Sequence, residues 1–337
     1  MERFLTVGQQ VLALFILIFI GVICGKKGIL QENAVRTLAD LTLLIATPCV
    51  IVESFLREVE AEKLLWLGVA ALAAVAVHLL SILAARLAVR DEKEARRRVL
   101  RFGVVFSNAG YMSIPLQKAQ LGEDGVLVGA AYLVVFNLVL WSYGLLEMSG
   151  DRRSLSVKKL VFNPGMIGLA AGLVVFLLPF PLPEVFAVPI RGLSALNTPL
   201  PMLVIGYYLG QTDLKQALRD KQAYWAAGLR LVVLPLLSLA GMWLCGLRGT
   251  VLVSCMIAVS APVAAATTMF ATRYGQDTAL SVNLVSLSTL FSALTMPPVS
   301  YTHLPARAWD WRRGRRAPRP CGRRGCCPFS CRIPRWR

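Results

Sequence analysis

Long stretches without a charged side chain dominate this 337-residue sequence. A helix needs about 17–25 mostly apolar residues to cross the hydrocarbon core of a bilayer. Nine stretches free of Asp, Glu, Lys and Arg approach or reach that length, and a tenth contains only Arg36 and Asp40. The sequence therefore predicts an all-α membrane protein with ten spans, at residues 4–25, 33–52, 64–85, 102–117, 125–146, 160–183, 192–212, 231–247, 249–272 and 278–306.

The composition excludes several other classes of protein. Only 16% of the residues are charged and 56% are hydrophobic, whereas a soluble domain carries about 25% charged residues. A soluble enzyme, a disordered chain and a secreted disulfide scaffold are therefore disfavoured. The cysteines within the apolar stretches (Cys24, Cys49, Cys245 and Cys255) are expected to be small buried hydrophobes. We predict no metal site, no cofactor and no catalytic residue.

The basic residues between the spans predict their orientation. Lys and Arg are enriched in cytoplasmic loops. The loops after the odd-numbered spans hold 18 of them, and the loops on the other side hold 6. This split predicts a multi-pass protein of the cell inner (plasma) membrane with its N-terminus outside. Arg230 belongs to neither group, and we expect it to reach the membrane interface from the start of span 8.

The sequence contains a weak internal repeat. Similar residues recur in the same order in both halves: Gly21 with Gly172, Thr47-Pro48 with Thr198-Pro199, and Pro115 with Pro262. Residues 1–146 and 160–300 are thus predicted to be two five-helix repeats, joined by a short cytoplasmic linker at 147–159. Because each repeat has an odd number of spans, the two run in opposite directions through the membrane, as in many secondary transporters.

Spans 4 and 9 combine proline with small and polar residues, at 107–115 and 260–268. Breaks at matching positions of two repeats indicate a transport site, although ordinary proline kinks are the alternative. The centres of the spans offer no Lys or Arg, so we expect the positive ends of half-helices to face an anion. The candidate substrate-binding residues are Asn108, Gly110, Ser113, Pro115, Asn137, Ser260, Pro262 and Asn283.

The amide side chains among these candidates have a second interpretation. An unpaired amide is costly in hydrocarbon, so Asn108 must bond either the site or a neighbouring helix. Asn137 and Asn283 have the same two alternatives. An intramembrane enzyme is disfavoured because the sequence has no H-E-x-x-H or G-x-S-x-G motif. A membrane receptor or channel remains an alternative to a transporter.

Several ordered motifs resemble the auxin efflux carrier family in its short bacterial form, over residues 1 to about 298. They are Asn108-x-Gly110-x-x-x-x-Pro115 and the stretches 137–144, 163–164, 197–206 and 260–262. The resemblance implies two inverted five-helix repeats, a scaffold of spans 1, 2, 6 and 7, and spans 4 and 9 crossing at their proline breaks.

The resemblance also implies a function. A secondary transporter of this kind moves a small organic anion across the lipid bilayer by alternating access. The linker at 147–159 is short, unlike the long loop of plant carriers, which favours a malonate- or malate-like carboxylate over auxin. A sodium- or proton-coupled bile-acid-type symporter and a non-transporting receptor are the alternatives. The chain could act alone or as a homodimer.

The C-terminal residues 301–337 depart from this pattern. They contain 11 of the 36 basic residues, so the high isoelectric point is no sign that the body of the protein binds nucleic acid, and we expect no nucleic-acid partner. The tail is rich in Arg, Pro and Cys and is predicted to be non-native or disordered. The alternative is a basic arm that binds anionic lipid or nucleic acid.

The charge split predicts the outcome of a topology experiment. A reporter fused after Arg153 should be cytoplasmic, and a reporter fused after Glu60 should be external. Activity of a compartment-specific reporter, such as alkaline phosphatase, measures both positions. The reverse pattern would contradict the predicted orientation.

Overall fold

A computed structural model of the chain describes residues 2–56, 61–151, 153, 162–177, 182–211 and 220–302. These residues fall within one compact unit, Met1–Leu304. Most of the predicted linker at 147–159 and, from residue 303 on, the predicted tail lie outside the described residues. The expectations for both therefore stay predictions.

The described part of the chain is all-helical and contains no β-strand. Its α-helices are α1 (Glu2–Lys26), α2 (Glu32–Leu41), α3 (Thr47–Glu53), α4 (Ala61–Ala88), α5 (Glu94–Val105), α6 (Ser113–Val139), α7 (Leu145–Ser149), α8 (Pro164–Leu177), α9 (Glu184–Ala195), α10 (Pro199–Gln211), α11 (Lys221–Gly228), α12 (Leu234–Leu244), α13 (Gly249–Ser260), α14 (Ala266–Arg273) and α15 (Thr278–Thr302). Short π-helical turns (Thr42–Ala46, Leu140–Gly144 and Leu229–Val233) connect some of them.

Seven helical runs among the described residues are long and apolar enough to cross a membrane. They are Gln9–Lys26, Glu32–Glu53, Lys63–Ala88, Ser113–Ser149, Glu184–Gln211, Lys221–Leu244 and Thr278–Met296, and two shorter apolar helices cover Pro164–Phe176 and Gly249–Ser260. The protein is thus a multi-pass membrane protein. The 37-residue run bends at Gly122, whose φ of 65° is accessible mainly to glycine. This bend separates the predicted fourth and fifth spans.

Proline explains two of the three π-helical turns. Pro48 and Pro235 each follow a π-helical turn by two residues. Proline lacks an N–H group, and its ring would clash with the carbonyl four residues earlier in a regular α-helix. A wider turn relieves this conflict and shifts which residues face inward. One of these turns carries Arg230, which is buried.

Glycine brings the backbones of α1 and α10 into direct contact. A Cβ added at Gly21 would lie 2.9 Å from the Leu203 Cα, and one at Gly206 would overlap the Ile18 carbonyl oxygen. Helix α8 of the second half packs on α3 of the first half, and a Cβ at Gly172 would lie 2.6 Å from the Phe55 ring. Small residues allow such close packing between membrane helices, where dispersion forces replace the hydrophobic effect.

An ion-pair network joins the starts of three helices. Arg96, on α5, donates to Asp220 at 2.7 Å and to Asp91 at 3.3 Å, and lies 3.6 Å from Asp277. Asp220 also accepts backbone N–H groups at the start of α11, and Asp277 does so at the start of α15. Burial lowers the pKa of Arg96, but the hydrogen bonds and charges of Asp220 and Asp91 outweigh it and leave that pKa raised. Arg96 therefore stays charged and holds these helix ends together.

The glycine contact predicts a stability difference between two neighbouring substitutions. Gly206→Ala should destabilise the protein by about 1–3 kcal/mol, because the added methyl group meets backbone that cannot rotate away. Gly210→Ala is the matched control on the same helix, since its Cβ would lie 3.4 Å from Val22 Cγ1, an ordinary contact. Thermal unfolding of both purified variants in detergent measures the difference. Equal melting temperatures would contradict the close contact.

Candidate functional site

Two non-helical segments pair with each other inside the helical bundle. One lies between α5 and α6 at residues 106–112, and the other lies between α13 and α14 at residues 261–265. Ser107 and Val263 form an antiparallel bridge. The Asn108 N–H donates to the Pro262 carbonyl at 2.7 Å, and the Ala264 N–H donates to the Phe106 carbonyl at 2.9 Å. We call this paired segment the crossing.

The sequence explains where α13 stops and why α6 can begin just before a proline. Proline disfavours the helical conformation in the residue before it, and Ala261, before Pro262, is extended with φ −64° and ψ 149°. Pro115 acts differently, because it is the third residue of α6, where a missing N–H costs no hydrogen bond. The first interruption therefore precedes Pro115 and does not lie at it.

Four helix ends meet at the crossing and carry opposite partial charges. Helices α5 and α13 end there, and α6 and α14 begin there. A helix C-terminus carries roughly −0.5 and an N-terminus roughly +0.5 elementary charge. The crossing thus has two negative and two positive helix ends.

Asn108 and Asn137 line a small cavity next to the crossing, together with Thr47 and Gly110. The cavity measures about 20 Å³. Asn108 is 2% exposed, and its Nδ2 has no hydrogen-bond partner among the described residues. Asn137 Nδ2 donates to the Leu133 carbonyl at 2.8 Å, but its Oδ1 is likewise without a partner there. One free donor and one free acceptor thus line a space that holds a single water-sized group.

Serine side chains on α6 and α13 form a polar ladder between these helices. Ser113 Oγ donates to the Ile257 carbonyl at 3.3 Å, Gln117 Nε2 donates to the Ser254 carbonyl at 3.0 Å, and Ser254 Oγ donates to the Gly125 carbonyl at 3.0 Å. The ladder fastens α6 to α13 beyond the crossing. Ser113 therefore takes part in a contact between two helices in this structure.

The remaining candidates lie at different distances from the crossing. Gly110 lies within the first interruption, and Pro262 lies within the second. Ser260 is buried at the end of α13, and its Oγ has no partner in the described part of the chain. Asn283 is half-buried on α15 and lines neither the small cavity nor the large one described next. The structure thus brings Asn108, Gly110, Asn137 and Pro262 together, and leaves Asn283 apart.

A larger cavity leads from the surface to the crossing. It measures about 410 Å³, within the range of small-molecule sites. Tyr111 and Ala265 line its inner part, and Arg36, Asp40 and Arg273 line its outer part. Arg36 pairs with Glu32 at 2.5 Å, whereas Arg273 is exposed and has no carboxylate partner within the described residues. Glu32 thus offsets the charge of Arg36, and Arg273 is the guanidinium group at the entrance that is left without such a partner in the described part of the chain.

The sequence analysis missed two buried side chains at the crossing. Asn197 Nδ2 donates to the Gly110 carbonyl at 2.9 Å, and its Oδ1 accepts from Thr47 Oγ1 at 3.1 Å. Arg230 is 1% exposed, so the expectation that it reaches the membrane interface is wrong. Its guanidinium group donates to carbonyls at the ends of α5 and α13. The expectation that no cation lies inside the bundle is wrong for the same reason.

A signal for Arg230 was present in the sequence. The residue lies near the middle of the apolar run Lys221–Leu244, and an ionisable residue within a membrane span indicates a functional site. The predicted span 231–247 began one residue too late to include it. The π-helical turn at Leu229–Val233, which the sequence does not reveal, carries this buried arginine.

Comparison with known proteins identifies the family. A family model described as "Membrane transport protein" matches residues 6–299. The chain belongs to this family, that of the auxin efflux carriers. The resemblance seen in the sequence motifs is thus confirmed.

One relative extends the same finding. An uncharacterized transporter of Methanothermobacter thermautotrophicus is 26% identical over 300 residues, which cover 86% of this chain and 96% of that protein. Both comparisons point to transport across a membrane and not to enzymatic catalysis. The crossing and its two cavities are therefore the candidate site of a transporter.

The hydrogen bonds at the crossing predict which amide stabilises the fold. Asn197→Ala should destabilise the ligand-free protein by about 1–3 kcal/mol, because it leaves the buried Gly110 carbonyl unpaired. Asn108→Ala should lower the free energy of unfolding by less, since it removes an Nδ2 that already has no partner within the described residues. Thermal unfolding of both variants in detergent tests this order. A larger loss for Asn108→Ala would show that Asn108 is mainly structural.

Proposed function

We propose that this transporter moves a small organic anion, a mono- or dicarboxylate such as malonate or malate, by alternating access. The observation that carries the proposal is the 410 Å³ cavity that runs from Arg36 and Arg273 to the crossing. This cavity lets a ligand reach the interrupted helices without crossing the lipid. Its chemistry favours an anion for two separate reasons.

The first reason is the guanidinium group of Arg273 at the entrance. Arg273 has no carboxylate partner in the described part of the chain, and a guanidinium group binds carboxylates in a two-pronged geometry. The second reason is the helix ends. The N-terminal ends of α6 and α14 carry partial positive charge and begin at the crossing, where Tyr111 and Ala266 line the large cavity. An entering carboxylate thus has a cationic group at the entrance and helix N-termini at the inner end of the cavity.

The geometry around the crossing also supports alternating access. The large cavity extends from the crossing toward Arg36 and Arg273. The ladder of Ser113, Gln117 and Ser254 joins α6 to α13, the two helix segments that leave the crossing in the other direction. With the orientation that the basic loops predict, the open side is the cytoplasmic one. Transport then requires the ladder side to open while the cavity side closes.

Helix packing supports two inverted repeats and ten spans. Span 1 packs on span 7 through α1 and α10, and span 6 packs on span 2 through α8 and α3. This exchange of partners is what a two-fold relation between the halves produces. The two interruptions, one in each half, pair with each other in the same way. Spans 1, 2, 6 and 7 would form the scaffold, and the crossing would belong to the moving unit.

Binding and transport measurements test the proposal. Malonate or malate should raise the melting temperature of the purified protein, since a ligand that binds only the folded state stabilises it. Asn108→Ala should weaken that binding roughly tenfold to a hundredfold, the effect of losing one hydrogen bond to a charged group. Asn283→Ala is the matched control, because Asn283 lines neither cavity and should leave affinity unchanged.

Uptake into proteoliposomes distinguishes transport from binding alone. We expect labelled malonate or malate to exchange across the membrane when the wild-type protein is present, and more slowly with Asn108→Ala. Binding without exchange would favour a receptor. Equal affinities for wild type, Asn108→Ala and Asn283→Ala would remove the crossing as the binding site.

A further inference from the structure

Arg230 joins the two interrupted helices by their C-terminal ends. Its Nη1 donates to the Val104 carbonyl at 3.1 Å and the Val105 carbonyl at 3.3 Å, both in the last turn of α5. Its Nη2 donates to the Val259 carbonyl, in the last turn of α13. The side chain is 1% exposed. One guanidinium group thus bridges both helices on the negative side of the crossing.

The charge of Arg230 is balanced by helix ends and not by an acid. Within the described residues, no carboxylate lies within ion-pair distance of Arg230. A buried charge without compensation is strongly unfavourable. Each helix C-terminus is equivalent to roughly −0.5 elementary charge, so two of them match one guanidinium group. The negative ends of α5 and α13 therefore have a resident cation.

This position is one where a secondary transporter can coordinate a coupling ion. In transporters with interrupted helices, unwound backbone carbonyls and half-helix C-terminal ends bind Na⁺. The carbonyls of Val104, Val105 and Val259 are such a set, drawn from both helices. In this protein these carbonyls accept hydrogen bonds from the guanidinium group, which occupies the position that a metal ion would take among them.

We propose that Arg230 is a permanent internal counter-ion that replaces a transported cation at the crossing, so that anion binding and transport do not require Na⁺ there. The inference about transport rests on the proposed function, whereas the inference about the counter-ion does not. Arg230 is a positioning residue, since it acts on the helix ends and not on the substrate. A planar guanidinium fork can bridge carbonyls on two helices, whereas the compact ammonium of lysine cannot do so equally well.

Thermal unfolding in different salts tests the counter-ion directly. The wild-type protein in detergent should melt at the same temperature in sodium, potassium and choline chloride. Arg230→Ala should melt at least about 5 °C lower in choline chloride, because it loses hydrogen bonds from a charged group and uncovers three carbonyls. Low concentrations of guanidinium chloride or sodium chloride should recover part of this loss, because these cations can enter the emptied place.

Arg248 provides the matched control. It is exposed, and its Nη1 donates to the Trp243 and Leu247 carbonyls at the end of α12, so it also binds a helix C-terminus. Arg248→Ala should change neither the melting temperature nor its dependence on cations. Arg230→Met, which keeps volume but not charge, should be as unstable in choline chloride as Arg230→Ala. Arg230→Lys, which keeps the charge, should have a melting temperature between those of the wild type and Arg230→Ala.

Two results would overturn the proposal. Specific stabilisation of the wild-type protein by Na⁺ over choline would mean that Arg230 does not occupy the cation site at the ends of α5 and α13. An Arg230→Ala variant that responds to all cations as the wild type does would mean that Arg230 is not a counter-ion. If Arg230→Ala cannot be purified, the wild-type salt comparison and the more stable Arg230→Lys still decide. Failure of malonate or malate exchange, in contrast, would remove the proposed substrate and leave these melting results intact.

Discussion

Every backbone polar group in the hydrocarbon region needs a partner within the protein, and the crossing is the place where this constraint is hardest to meet. Helices α5 and α13 end there and leave carbonyl groups without helical partners. Helices α6 and α14 begin there and leave N–H groups without them. The two segments bond each other through Asn108 with Pro262 and Ala264 with Phe106, and Ser288 Oγ accepts the Val263 N–H. Each interruption thus supplies hydrogen-bond partners for backbone groups of the other.

The same arrangement separates charge across a short distance. The negative ends of α5 and α13 face Arg230, and the positive ends of α6 and α14 begin on the side of the large cavity. Under the proposed function, an anion that enters through the large cavity would meet the positive ends of the helix dipoles. The polar amides of Asn108 and Asn137 next to the crossing would then be available to recognise it.

Much of this could be predicted from the sequence because the bilayer makes strong demands on composition. Charge-free stretches predicted the all-helical membrane fold, and proline with small and polar residues in 107–115 and 260–268 predicted the two interruptions. That spans 4 and 9 cross was implied by the family resemblance, and the hydrogen bond of Asn108 with Pro262 is where the two segments meet. Span boundaries were less reliable, since an apolar run does not show where a kink such as Gly122 divides it.

The side chains that hold the crossing together were harder to find. Arg230 was assigned to the interface because arginine is costly in lipid, but the cost disappears when helix ends provide the opposite charge. Asn197 contacts Gly110, which is 87 residues away in the sequence, and no local pattern records such a contact. Asn283 appeared equivalent to Asn137 by repeat position, yet only Asn137 lines the small cavity.

The buried arginine also constrains how the chain enters the membrane during synthesis. An arginine at the centre of a newly inserted helix costs about 2.5–3.5 kcal/mol. The Val104 and Val105 carbonyls are made before Arg230, but Val259 and the rest of α13 emerge after it. The coordination of Arg230 can therefore be complete only after α13 has been synthesised. The crossing thus cannot enclose its cation until the second half of the chain has been made.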